Sequence, residues 1–143
     1  MSINGFSVGR DIALTVVTSS GPLTFNLITA FSSQQETRDY MVKGLDGVPR
    51  PVRQFNGWRG RFELERADST PDDYFSQLEA NYFAGISENP VTLTETVSEV
   101  SGAITQYRYV GVLLKLDSAG EWSGDSTVKQ TISFVASRRV KVA

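Results

Sequence analysis

The amino-acid sequence reads as a mainly β protein: an antiparallel β-sandwich or barrel of about six strands with one packed α-helix and a long inter-strand loop. Three observations lead there. Apolar and polar residues alternate over several separate segments rich in Val, Ile, Thr and aromatic residues. Short Ser/Gly/Asn/Pro clusters divide most of these segments at hairpin-like spacing. Only one segment combines helical spacing with signals for both helix ends. A chain of 143 residues is long enough to bury a real core and fits one domain, residues 1–143.

Along the chain, Asp11 to Thr18 alternates Ile12, Leu14 and Val16 against Ala13, Thr15 and Val17, as a strand does. Ser19-Ser20-Gly21-Pro22 supplies a turn, and Leu23, Phe25 and Leu27 then alternate with Thr24, Asn26 and Ile28 to complete a hairpin. The polar run SSQQETRD could extend that second strand as an exposed arm. Tyr40 to Phe55 contains Gly44, Gly47, Pro49 and Pro51 and reads as a long loop. It also carries Met41, Val42, Leu45, Val48, Val52 and Phe55, too apolar a set for a disordered linker. The expectation is a protruding segment, residues 40–55, that packs on another copy of the chain.

Trp58 to Arg66 next sets Trp58, Gly60, Phe62 and Leu64 against Arg59, Arg61, Glu63 and Glu65, a strand with one buried and one charged face. The helix follows, with Thr70 as expected N-cap, Pro71 in the first turn, Asp72 and Asp73 favouring the positive helix start, and Gly85 as the stop. Tyr74, Phe75, Leu78, Tyr82 and Phe83 form its expected core side. Val91 to Val97, Thr105 to Leu116 and Thr127 to Ala136 are the closing strands. In the last, Val128, Ile132 and Phe134 oppose Thr127, Lys129, Thr131 and Ser133. Gly60 and Gly111 sit inside strand patterns, where a bulge or a close backbone approach is the usual reason.

Composition narrows the function. There is no cysteine and no histidine. This removes disulfides, thiolate nucleophiles and Cys-based zinc sites, along with the commonest general acid/base and metal ligand, so the expectation is a protein that is not an enzyme and needs no metal or cofactor. With 14 basic and 16 acidic side chains the net charge is -2, which does not suit a protein gripping nucleic acid through many phosphates. No N-terminal basic-then-apolar signal and no run of roughly 20 apolar residues is seen, so cytoplasmic synthesis without membrane insertion is expected.

Four constellations invite a chemical reading. Asp68, Asp72 and Asp73, with Glu65, form the densest carboxylate group, yet they lack EF-hand spacing, and helix capping accounts for Asp72 and Asp73. Gly57-Trp58-Arg59-Gly60-Arg61 lacks the lysine and the strand–loop–helix context of a phosphate loop. Lys43, Arg50, Arg53, Arg59 and Arg61, near Phe55 and Trp58, could touch single-stranded nucleic acid, but pairing with acidic groups of a neighbouring subunit fits an acidic chain better. Tyr107 and Tyr109 share a strand face and could stack a sugar, although cross-strand packing is the commoner use of such a pair.

Taken in order, the N-terminal hairpin, the long loop, GWRGRFELER, the helix DDYFSQLEANYFAG and the closing segments TLTETVSEVS, QYRYVGVLLKLD and TVKQTISFVAS resemble the tail tube protein of contractile-tailed bacteriophages. They are similar, more broadly, to the tube subunit of type VI secretion and related injection systems. The resemblance covers almost the whole chain and implies a sandwich with a flanking helix, six copies to a ring, inner sheets joined into a barrel, and rings stacked into a tube through which DNA passes without specific binding. It assigns Lys43, Leu45, Val48, Arg50, Val52, Arg53 and Phe55 to contacts between rings. It places Thr127, Lys129, Thr131 and Ser133, or alternatively Arg59, Arg61, Glu63 and Glu65, on the lumen. Sheath, baseplate and tail-terminator proteins are the implied partners, and the virion tail, assembled in the bacterial host cytoplasm, is the implied location. A tube-initiating baseplate protein, a tail-terminator ring, or a carbohydrate- or nucleic-acid-binding sandwich are the alternatives.

Overall fold

The computed structural model describes residues 4–6, 12–19, 21–23, 25 and 28–142. Asp11, Ser20, Thr24, Asn26 and Leu27 of the predicted N-terminal hairpin lie outside them. The described elements are β1 (Ile12–Thr18), β2 (Gly21–Leu23), β3 (Ile28–Lys43), β4 (Pro49–Glu65), α1 (Thr70–Phe83), β5 (Val91–Ser98), β6 (Ile104–Ser118), β7 (Lys129–Ala136) and β8 (Arg138–Lys141). All pairings are antiparallel, in the order β2-β1-β5-β6-β7-β4-β3, with β8 also on β6. The mainly β antiparallel fold with one helix is as expected, and the sheet does not close into a barrel.

β6 makes the fold two-layered. Its first half pairs with β5 and β8, and from Leu113 it pairs with β7 instead. The switch falls at Gly111, whose φ of 65 belongs to the left-handed region, and a Cβ there would lie 2.4 Å from the Ser137 hydroxyl. Ser137 joins β7 to β8 and spans the corner, its N–H donating to the Val110 carbonyl at 3.0 Å. Val16, Leu93, Tyr109 and Val112 from one layer meet Phe62, Leu64, Ile132 and Phe134 from the other to form the core. Gly60 is the second close approach: a Cβ would lie 2.3 Å from the Ser32 carbonyl and 2.7 Å from the Phe134 ring.

Four expectations need correction. The Tyr40–Phe55 loop is largely strand: β3 runs to Lys43, β4 starts at Pro49, and Tyr40↔Val52 and Met41↔Pro51 are in register. Only residues 44–48 turn, where Gly47 has φ 79 and donates its N–H to the Gly44 carbonyl at 3.0 Å. Pro49 and Pro51 are tolerated because β4 has β3 as its sole strand neighbour there, leaving an open edge that needs no N–H. There are eight described strands rather than about six, since β3 is a strand separate from β2 and the basic tail adds β8.

Helix α1 begins one residue earlier than expected. Ser69, not Thr70, is the N-cap, and the Thr70 N–H is taken by the Asp68 carboxylate at 3.0 Å. The helix end follows expectation: Gly85 (φ 81) donates to the Tyr82 carbonyl at 3.1 Å and Ile86 to the Asn81 carbonyl at 2.8 Å, the paired bonds of a left-handed helix stop. Tyr74 and Phe75 pack on the core, but Tyr82 and Phe83 point outward, 75% and 78% exposed.

Candidate assembly surfaces

The two alternative lumen sets turn out to share one surface. In register, Arg61 lies opposite Ser133, Glu63 opposite Thr131, and Glu65 opposite Lys129. Because alternate residues of a strand share a face, the outer side of β4 and β7 presents both sets together while Phe62, Leu64, Ile132 and Phe134 face the core. Thr127 is exposed just before β7. Neighbouring strands extend the face, with Ser32 beside Arg61 on β3 and Lys115 beside Ser133 on β6.

This outer face is polar and charge-balanced. Arg59, Arg61, Lys115 and Lys129 stand with Glu36, Glu63, Glu65 and Asp117. Arg59 reaches Glu36 at 3.3 Å, Lys115 reaches Asp117 at 4.0 Å, and the Ser133 hydroxyl donates to Asp117 at 3.0 Å. A shallow depression of 330 Å³ lies between Arg59 and Arg61, bordered by Ser32, Gln34 and Ser133. Two apolar side chains, Leu113 and Val135, interrupt the polar face and lie opposite each other.

The β3–β4 arm is the second surface. Lys43 ends β3, Leu45 and Val48 lie in the turn, and Arg50, Val52, Arg53 and Phe55 lie on β4. Leu45, Met41 and Phe55 are strongly exposed. Three arginines of the expected basic cluster are answered within the chain: Arg53 donates to Asp39 at 2.8 Å, Arg50 to Asp46 at 2.7 Å, and Arg59 pairs with Glu36. The first two hold the Asp39 and Asp46 carboxyls below their ordinary range, with the Val48 N–H adding to the effect on Asp46. Strand register sets Arg53 opposite Asp39, and the turn between the strands returns Asp46 to Arg50, four residues on.

No protein-family model matches the chain, and no curated protein sequence matches it. Solved structures do. The cap of the anti-feeding prophage, described as its tube-terminating cap, superposes with a TM-score of 0.66 at 7% identity, covering 99% of this chain and 94% of that one. A chain of the PVC sheath–tube complex, an extracellular contractile injection system in its extended state, gives 0.61 at 12% identity, covering 91% and 88%. A chain of the native gene transfer agent virion gives 0.53 at 13%, covering 96% and 100%. The chain has the fold of these tail and injection-system proteins. The likeness expected from the order of elements is therefore present in three dimensions.

Within this injection-system fold, the remaining sequence candidates have structural work. Asp72 does more than favour the helix start: it pairs with Arg66 at 2.9 Å and accepts from the buried Gln130 amide at 2.8 Å, fastening α1 to β7. Asp73 accepts from the Ser69 hydroxyl. Among the described residues no group of three or more acidic, His or Cys side chains is placed to hold a metal ion. No described helix is long and apolar enough to cross a membrane.

Tyr109 is fully buried, and its hydroxyl donates to Glu95 at 3.0 Å and shares a 3.0 Å hydrogen bond with the Ser33 hydroxyl. Burial pushes its pKa up to about 12. The Arg139 guanidinium covers Tyr107 at 3.5 Å and Trp58 at 4.8 Å and pairs with the buried Glu95 at 3.6 Å. A sugar-stacking platform on Tyr107 and Tyr109 is thus overturned, because one ring is core and the other is capped. Sequence reasoning missed Glu95, Gln130 and Arg139; the available signals were a carboxylate interrupting the Val91, Leu93, Val97 face and an amide interrupting the Val128, Ile132, Phe134 face.

Proposed function

We propose that the protein is a non-enzymatic structural subunit of a contractile tail tube, forming hexameric rings that stack around a lumen through which DNA passes without specific binding. The observation that carries this reading is the charge-balanced outer face of β3, β4, β7 and β6 within the injection-system fold. A basic wall would hold a polyanion through counterion release, whereas a wall of opposed charges and hydroxyls lets it slide. Both lumen sets, Lys129, Thr131 and Ser133 with Arg59, Arg61, Glu63 and Glu65, then line the bore together, with Thr127 at its margin. The four strands end on open edges, β3 on one side and Leu113–Ser118 of β6 on the other. Joining these edges between neighbours would pair backbone groups that otherwise invite aggregation.

The exposed arm, residues 40–55, supplies contacts between stacked rings through Leu45, Val48, Val52 and Phe55, while Lys43, Arg50 and Arg53 keep it soluble beforehand. Sheath, baseplate and tail-terminator proteins are its partners, in a virion tail assembled in the host cytoplasm without membrane insertion of the subunit. The likeness to a tube-terminating cap favours a second reading, a terminator ring with the same fold. Negative-stain microscopy of the purified protein separates the two: long tubes support the tube subunit, single rings support the terminator, and a strict monomer at high concentration defeats both. Deleting Gly44 to Pro51 should leave a folded subunit that no longer stacks.

A further inference from the structure

Two exposed patches on opposite kinds of element complement each other in shape of chemistry and in charge. The first is a stripe on α1: Glu79, Tyr82 and Phe83, at spacings of three and four residues that place them on one side. All three are exposed, and the Tyr82 and Phe83 rings meet edge to face 5.2 Å apart. The last helical turn contains no basic residue, so the negative end of the helix dipole is uncompensated.

The second patch is a recess of 400 Å³ at the base of the arm, where β4 passes the β7–β8 corner. Phe55 and Trp58 give it an apolar wall, and Arg138 and Arg139 give it a cationic rim. Gly57 lets β4 pass close to the β7 end beneath it: a Cβ there would lie 2.4 Å from the Ala136 carbonyl. Arg139 is committed to Glu95 and the aromatic rings, but Arg138 is exposed and makes no ion pair among the described residues. Glu79 likewise makes none. This sets the two apart from Arg50, Arg53 and Arg59, all answered within the chain.

We infer that the α1 stripe of one copy docks in the arm-base recess of the next, Tyr82 and Phe83 against Phe55 and Trp58, Glu79 toward Arg138. The contact rests on the reading that copies of this chain assemble. It joins two different surfaces, so it propagates head to tail and closes into a ring or continues as a filament rather than stopping at a dimer. Buried aromatics provide the affinity, and the charge pair sets orientation and discriminates against wrong registers.

The absence of cysteine makes the test clean. The Phe55→Cys, Phe83→Cys double variant, oxidised after assembly, should give a ladder of covalent oligomers on a denaturing gel, and neither single variant should give one. In sedimentation velocity, Glu79→Arg and Arg138→Glu should each raise the concentration needed for assembly about 10-fold, and the charge-swapped double variant should recover most of that loss. Circular dichroism confirms that these exposed positions leave the fold intact. A parent that assembles while the charge variants behave like it, or a swap no better than the worse single variant, overturns this contact and leaves the tube reading standing. Loss of assembly in Glu79→Arg alone also overturns it, since the stripe would then serve another partner. A parent that never assembles removes both.

Discussion

The two halves of β4 show what a second neighbouring strand does to a strand. From Trp58 to Glu65 the strand lies between β3 and β7, and Phe62 and Leu64 are 1% and 0% exposed. From Pro49 to Asn56 it pairs with β3 alone and nearly every side chain is exposed. Backbone pairing is continuous through both, apart from a bulge near Gln35 and Thr37. Strand geometry therefore persists where the core does not, and the difference is the second layer. A two-stranded ribbon without a covered face is marginal by itself, so the arm depends on the anchored half for its register.

The largest expected effect belongs to the anchored half. Phe62→Ala should lower the unfolding free energy by about 3–5 kcal/mol in urea titration, because it empties space against Phe25 and the core. Gly60→Ala comes next, at about 1–3 kcal/mol, since the new methyl meets a backbone carbonyl of β3 and the Phe134 ring, and the backbone cannot move aside without parting the strands. Either variant unfolding like the parent would break the contrast between the halves.

Tyr109→Phe should cost about 1 kcal/mol at neutral pH by leaving Glu95 and Ser33 without their shared partner. It should also change the alkaline limb. A phenol whose folded pKa is raised from 10.0 to about 12 contributes stability that is fully present below pH 10 and lost as pH rises through 12. The variant should therefore show a flatter decline between those values.

In the arm the expected effects on stability are smaller and those on assembly larger. Met41→Ser combined with Leu45→Ser should shift unfolding by no more than about 0.5 kcal/mol, both side chains being exposed, while abolishing ring stacking seen by microscopy. Asp39→Asn is the mildest. The Asp39 pKa is depressed below 3.8, so its pairing with Arg53 contributes above that value and fades only as the pH falls through the folded pKa. Amide exchange of the arm should quicken in the variant at pH 7 with the melting temperature unchanged, and a clear fall in melting temperature would show that the arm is coupled to the core after all.

Much of the fold was legible because strands and helix ends have short-range signatures. The alternation at Trp58–Arg66 and Thr127–Ala136 assigned inner and outer faces correctly, and Gly85, Gly60 and Gly111 each stand where a missing side chain is required. The polar run SSQQETRD, read as a possible strand extension, lies within β3. The arm was misread because Gly and Pro signal loops locally, and nothing nearby shows that Met41 will face Pro51 across a hairpin with an open edge. Tyr82 and Phe83 were misread for a related reason: helical spacing identifies a side, not whether anything covers it.

By itself, then, the sequence determined a mainly β chain with one helix, the inward and outward faces of its strands, and a chemistry without histidine or cysteine. Those properties follow from periodicity and composition, which act over a few residues. Tertiary structure alone decided that Arg61 and Ser133 share a face, that Asp72 fastens the helix through Gln130, and that Arg50 and Arg53 are neutralised within the chain. Most of these outcomes depend on register between residues far apart in the chain, and a shift of one residue in register would send every side chain of a strand to its opposite face.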